Sequence, residues 1–411
     1  MVAWGLVVVL FLGFLDIKFR DSTQRSDFVT AFYVAGNLVL NKQQSDLYPP
    51  EGTRSFENAP FVVRARKILP FMRPGYTVEY MYTPIVAWAF VPFSFFPPWV
   101  ALLLWQVVSL FAVIGSGALV VRPIASTGKL EHNPWLYGLA GLTYLPVLHT
   151  LWQGQVGLVF GVLPLCAGYY FLMRNHPLHS GLVMSLSLLK PQFCVPAMMV
   201  AFGQALNREF SCLTGLVCGA LAFFLLNIAV CGSDLCVAWL RCLRLRDSDF
   251  AVQTWAPPQF VTNFPNSLLF LLPPSLQPWS KPIIYAIAVA LMLAGLWHIA
   301  RLRRSSSCRE DKVSLCFLIA LLATPLIVPQ LLVYDLSTLY PAGLIAALYP
   351  WKAPVGEQFR KLTGLGWICV NLYWIGALAI RESLQPLTLT AIILGLYWQV
   401  LAAVRVSRTS G

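Results

Sequence analysis

Residues 178–206 read LHSGLVMSLSLLKPQFCVPAMMVAFGQAL. Two apolar segments, 178–189 and 193–206, flank Lys190-Pro191-Gln192. Each falls short of the roughly 20 apolar residues that carry a helix across a bilayer core. Broken helices at membrane depth persist only where they are buried in protein or line a cavity. The stretch therefore predicts two half-length helices set inside a larger helical membrane bundle, with Lys190 at the tip between them.

The rest of the chain agrees with that reading. Of its 411 residues, 58% are hydrophobic and 11% are charged, against roughly 25% charged in soluble domains. Further apolar segments lie at 1–15, 99–121, 135–152, 156–173, 211–231, 282–300, 313–328, 336–349, 362–380 and 386–404. The expected fold is an all-α polytopic membrane protein of about 11–13 transmembrane helices. It forms one integral-membrane domain over 1–411, and 82–96, broken by Pro84 and Pro92, reads as a re-entrant or tilted element. The opening run lacks a basic n-region and a small-residue cleavage site, so it reads as an uncleaved first helix.

The net charge of +12 has a bland cause. Basic loops set membrane topology, and no nucleic-acid motif accompanies the charge. The clusters Arg301, Arg303, Arg304, Arg309 and Lys312, then Lys352, Arg360 and Lys361, then Arg405 and Arg408, are placed in the cytoplasm. Counting back puts the N-terminus inside and two long loops, 16–80 and 232–281, outside. The first loop mixes Asp16, Asp21, Asp27, Asp46, Glu51, Glu57 and Glu79 with nine basic residues. Its apolar spacing at Phe61, Val62, Val63, Ile68 and Leu69 predicts short amphipathic helices lying on the membrane. The cysteines sit mostly in apolar stretches and read as small hydrophobes, with one disulfide among Cys231, Cys236 and Cys242 left open.

This topology gathers polar residues on the outer face. Asp27 follows the first span, and Gln155 lies in the turn Trp152-Gln153-Gly154-Gln155. Lys190 tips the broken hairpin, Asn263, Asn266 and Ser267 lie in the second loop near Arg241, Arg244 and Arg246, and Tyr334-Asp335 joins two short spans. Each has a plainer alternative. Asp27 and Asp335 can cap helices, Gln155 can satisfy a turn, Lys190 can snorkel, and the arginines can form a solvated face. His149 reads as a packing residue. Together the groups fit acid–base work on an anionic substrate: a carboxylate takes a proton from a hydroxyl, while lysine and arginine hold phosphate. An ionisable residue within a span is usually functional. No phosphate loop or serine-hydrolase elbow is present.

Read as motifs, these residues resemble a known family. Asp27-Phe28-x-x-x-Phe32-Tyr33-x-Ala35-Gly36, Leu47-Tyr48, Tyr80-x-Tyr82-x-Pro84, Leu104-Trp105, Gly154-Gln155 and Leu189-Lys190-Pro191 look like glycosyltransferase family 87. Asn266-Ser267-Leu268, Thr324-Pro325 and Tyr334-Asp335 continue the match more loosely. The family belongs to the GT-C superfamily and includes polyprenyl-phosphate-mannose-dependent alpha-mannosyltransferases. The resemblance implies a GT-C-like bundle in the plasma (inner) membrane, with its active site on the extracytoplasmic side. It implies inverting transfer of a hexose, mannose first, from a polyprenyl-phosphate sugar to a glycolipid or glycan hydroxyl of the cell envelope. Asp27 would be the general base and Lys190 the contact to the donor phosphate. The expected substrate-binding set is Lys190, Gln155, Tyr33, Arg244, Asn266, Tyr334 and Asp335.

Gly157 departs from the pattern, standing where many members carry Asn after the Gly-Gln pair. No cofactor is expected, and a divalent metal is not favoured, since only Asp21 and Asp16 accompany Asp27. The rival from another class is a polytopic transporter or flippase of a lipid-linked substrate, with Lys190 on its path. It would carry inverted repeats, and none is visible in the hydropathy. A polysaccharide polymerase or ligase would instead place its longest loop late in the chain.

Overall fold

A computed structural model describes Leu10, Gly13 and residues 26–53, 56, 58–72, 79–126, 133–250, 260–273, 275–302, 308–328, 331–352, 355–379 and 386–409. For 245–250 and 403–409 the backbone alone is described. The expected first span at 1–15, and with it Asp16 and Asp21, lies outside this set apart from Leu10 and Gly13. Among the described residues the regular elements are all helical, with one isolated antiparallel bridge between Val261 and Leu332.

Among the described residues, three helices are long and apolar enough to cross a membrane: Pro98–Ala125, Ser211–Cys231 and Gln277–Leu302. Shorter apolar helices cover Phe28–Leu40, Leu158–Met173, Pro177–Leu189, Val333–Leu348 and Pro386–Ala402. The chain divides into two compact units, one of 1–111, 151–156 and 221–255, the other of 112–150, 157–220 and 256–411.

In the first unit, Phe28–Tyr33 starts as a wide π-turn and tightens into the α-helix Val34–Leu40. Phe28 and Phe32 are fully buried. Phe28 lies 5.7 Å from Phe90 and 6.0 Å from Trp105, ring centre to ring centre, and Phe90 lies 4.9 Å from Trp105. These rings tie the first helix to Pro84–Ala89, Val91–Phe95 and the start of Pro98–Ala125. Pro60–Ile68 and Pro84–Ala89 both begin with proline, whose fixed φ suits the first helical position and whose missing N–H would have no partner there. Asn227 Oδ1 accepts the Ile85 N–H at 3.1 Å, satisfying another of the orphan donors of Pro84–Ala89.

The second expected outer loop, 232–281, contains helices of its own. Gly232, at φ +86°, ends one helix and lets another, Ser233–Phe250, begin almost at once. Mixed charge hid that helix from the hydropathy reading. Trp239 in it donates to the Met81 carbonyl at 3.0 Å. Cys231, Cys236 and Cys242 are all free thiols.

The second unit is centred on Arg309–Ile327, whose residues from Val313 to Leu326 are all buried. The expected segment 135–152 is broken into Pro134–Ala140, a 3₁₀ turn Gly141–Thr143, and Leu145–Trp152. Asn371 repairs the break: its Nδ2 donates to the Thr143 carbonyl at 3.0 Å and its Oδ1 accepts the Leu145 N–H at 2.8 Å. The region around Lys190 is broken as its sequence demands. Pro177–Met184 passes into the 3₁₀ turn Ser185–Leu189, and a second 3₁₀ turn, Pro191–Phe193, leads into Cys194–Leu206. Gly215 and Gly219, one turn apart on Ser211–Cys231, let that helix press on Pro177–Leu189; a Cβ on Gly215 would lie 2.2 Å from the Leu178 carbonyl. Small residues at such spacing allow close helix approach in lipid.

Candidate functional site

Asp27 does not cap its helix. It has helical dihedrals of φ −61° and ψ −29° and makes no capping hydrogen bond. Ser26 takes that role, its Oγ accepting the Val29 N–H at 3.3 Å. The Asp27 carboxylate is instead a hydrogen-bond acceptor for the side-chain amide of Gln155. Gln155 is neutral, so this contact orients the carboxylate without cancelling its charge. The Gln155 carbonyl oxygen in turn accepts from the Tyr82 hydroxyl at 3.4 Å, which fixes which end of the amide faces Asp27.

The Gly-Gln turn is built for this contact. Gly154 sits at φ +62°, a region that β-carbon-bearing residues rarely adopt. A Cβ there would lie 2.5 Å from the Phe28 Cβ and 2.7 Å from Leu102. The turn is fastened to the Asp27 segment by the Phe28 N–H, which donates to the Gln153 carbonyl at 3.1 Å. From the other side, Tyr48 donates to the Tyr82 carbonyl at 2.6 Å and Tyr80 to the Thr83 carbonyl at 3.2 Å. Burial pushes both phenols well above their usual range, so they stay protonated donors.

The second unit holds a different polar cluster. Lys190, which is 1% exposed, forms an ion pair with Asp335, which is 2% exposed. This overturns the snorkelling alternative, because the ammonium is buried rather than led to the surface. Asp335 also accepts the Leu332 N–H at 3.2 Å through its second oxygen, so it caps Val333–Thr338 and binds Lys190 at once. The Lys190 Nζ lies 5.1 Å from the Tyr334 ring centre and 5.3 Å from that of Phe193. A cation over such faces gains about 0.5–2 kcal/mol. Gly157 leaves room for the ammonium: a Cβ there would stand 3.1 Å from Nζ and 3.2 Å from Phe193 Cζ.

The other sequence-selected residues are placed as follows. Asn266 is buried close in sequence to Asn263, whose Oδ1 accepts its backbone N–H at 2.9 Å. Asn263 reaches the Leu331 carbonyl at 3.4 Å, and Thr262 donates to the same carbonyl at 3.0 Å. The bridge from 261 to 332 thus brings the Asn263–Asn266 segment to the Tyr334-Asp335 segment. Tyr33 donates its hydroxyl to the Phe96 carbonyl at 3.0 Å, a fastening of the first unit. Arg244 is exposed on Ser233–Phe250, while its neighbour Arg241 lies 3.3 Å from Glu51. The side chain of Arg246 lies outside the described residues. His149 is packed as expected, with rings of Tyr334, Phe260 and Trp374 around it and a hydrogen bond at 3.0 Å from Trp374.

Sequence reasoning picked out Lys190 and Asp335 separately but did not pair them. In the sequence Tyr82 is one position of a motif, and only the fold links it to Gln155. Among the described residues, no group of three or more His, Cys, Asp or Glu could hold a metal.

No curated protein and no solved structure matches the chain. A family model does: residues 80–328 match Glycosyltransferase family 87. The matched part holds Tyr82, Gly154-Gln155, Lys190 and Asn266, and it covers more than half of the chain. On that match, and with apolar helices long enough to cross a membrane, the chain belongs to glycosyltransferase family 87 and is a membrane glycosyltransferase.

Proposed function

We propose that the enzyme moves a hexose, mannose first, from a polyprenyl-phosphate sugar to a hydroxyl of an extracytoplasmic glycolipid or glycan. Asp27 takes the proton of the acceptor hydroxyl as its oxygen attacks the anomeric carbon. The bond from that carbon to the phosphate oxygen breaks, and polyprenyl phosphate leaves with the electron pair. Attack opposite the leaving group inverts the anomeric centre. No cofactor enters this reading.

The observation that carries it is the carboxylate of Asp27 held by the Gln155 amide, which Tyr82 orients in turn. A base so held is ready for proton transfer, a contribution of roughly 10²–10⁴-fold in rate. For Lys190 the proposed role is donor recognition, shared with Asp335, Tyr334 and Asn266. The Lys190–Asp335 pair is net neutral, so it would contribute placed hydrogen-bond donors more than charge. The expected setting is the plasma membrane, with the reaction on its outer side.

The test is transfer by purified protein from polyprenyl-phosphate mannose to candidate glycolipid acceptors, with the product anomer assigned by NMR. An inverted product supports the reading. A retained anomer, or no transfer from any lipid-phosphate sugar, overturns it, and the second result would favour transport of the lipid-linked substrate.

A further inference from the structure

Pro60–Ile68 carries two arginines with opposite fates. Arg64 is satisfied: its Nε lies 2.8 Å from Asp46 Oδ2. Arg66, itself half-buried, follows Val62 by one turn and precedes Leu69 by three residues, both fully buried. Its Nε and Nη2 are buried and have no hydrogen-bond partner among the described residues. Snorkelling would bury the methylene stem and leave the head in water. Here two atoms of the head itself are the buried ones. They form one edge of the guanidinium, the fork that takes two oxygens of a phosphate or carboxylate side by side.

The described carboxylates of the first unit, Glu79 included, make no hydrogen bond to that fork. Asp27 accepts from Gln155, Asp46 is taken by Arg64, Glu51 pairs with Arg241, and Asp234 lies 3.5 Å from Ser233 Oγ. None of the described carboxylates bonds the Nε or Nη2 of Arg66. A buried donor without a partner costs free energy, more so when charged, and a native structure keeps one where something else completes it. The helix packs against Val34–Leu40, the continuation of the turn that Asp27 opens, so the fork belongs to the same unit as the proposed base.

We infer that Arg66 is a phosphate-binding residue whose Nε–Nη2 edge receives two phosphate oxygens. This deepens the proposed function, since a lipid-linked donor carries such a group, but the test below does not depend on transfer. Wild type and Arg66→Met are purified in non-ionic detergent and phosphate-free buffer. Each is titrated with inorganic phosphate and with citronellyl phosphate, a short isoprenyl phosphate, while thermal unfolding is followed. A ligand that binds only the folded state raises Tm in a saturable way.

Without phosphate, Arg66→Met is expected to unfold at or above the wild-type Tm, because it removes two buried donors that have no partner. Its phosphate affinity is expected to fall at least about tenfold. Equal potency of the two ligands assigns the site to the phosphate group itself. Preference for citronellyl phosphate assigns it to a lipid phosphate. A lowered Tm or failure to fold without phosphate would make Arg66 structural and overturn the inference, as would unchanged affinity in the variant. No saturable binding of either ligand to wild type would overturn it too. Failure here leaves the role of Asp27 standing, since no acceptor is present.

Discussion

The side-chain amide of Gln155 donates a hydrogen bond to the carboxylate of Asp27, 128 residues earlier in the chain. That contact converts two short motifs, Asp27-Phe28 and Gly154-Gln155, into one arrangement. Gly154 makes the turn, Phe28 fills the space beside it, and Tyr82 holds the far end of the amide. On the proposed function, Gln155 and Tyr82 would be positioning residues, acting through Asp27.

Replacing Gln155 by Glu tests that role through pH. A second carboxylate beside Asp27 disfavours its ionised form and raises its pKa. The base is then ionised only at higher pH, so activity is lost from the acid side upward. The acid limb of the kcat/KM profile is expected to move to higher pH. Tyr82→Phe should move that limb little and lower kcat modestly, since it frees the amide without adding charge.

Gly154→Ala is expected to damage both stability and rate. Its positive φ alone costs about 1–3 kcal/mol for an ordinary residue, and the clash with Phe28 adds to this. Thermal unfolding should show a clear fall in Tm. The surviving folded protein should show a lower kcat, because Gln155 is displaced from Asp27.

For the Lys190–Asp335 pair the expectation is non-additive. Breaking a buried ion pair by removing one partner costs about 3–5 kcal/mol, whereas replacing both by apolar groups is often neutral. Lys190→Met and Asp335→Leu should each lower Tm strongly, and the double variant should recover most of it. If the pair also serves the donor, the double variant regains its fold but keeps a raised donor KM. Wild-type donor kinetics in the double variant would leave the pair purely structural.

The glycines facing Phe193 give a rank order. A Cβ on Gly161 would lie 2.3 Å from Phe193 Cδ1, whereas one on Gly157 meets its nearest neighbour, Lys190 Nζ, at 3.1 Å. Overpacking of this kind costs about 1–3 kcal/mol. Gly161→Ala should therefore lower Tm more than Gly157→Ala. Gly157→Ala should instead show its effect in donor KM, through the displaced ammonium.

Helical membrane architecture was legible because lipid imposes a length and composition that hydropathy can read. The break at Lys190-Pro191 was legible too, since a charge followed by proline interrupts an apolar run that would otherwise continue as one helix. Ser233–Phe250 was not, because a helix of mixed charge looks like a loop to a hydropathy window. The split of 135–152 also escaped, since its repair comes from Asn371, more than two hundred residues away. In the two polar clusters, Asp27 and Gln155 of the first and Lys190 and Asp335 of the second stood out in the sequence. Their pairing did not, because it depends on tertiary contacts. Arg66 escaped altogether, since one arginine in a loop of mixed charge has no signal until its surroundings are known.

The most direct measurement is the rate of mannose transfer from polyprenyl-phosphate mannose by Asp27→Asn beside wild type, with Tm recorded for both. Asparagine keeps the shape of the side chain but cannot take the proton. The expected result is a fall in kcat of roughly 10²–10⁴-fold with a Tm close to wild type. Transfer at the wild-type rate by a folded Asp27→Asn enzyme would contradict the assignment of Asp27 as general base.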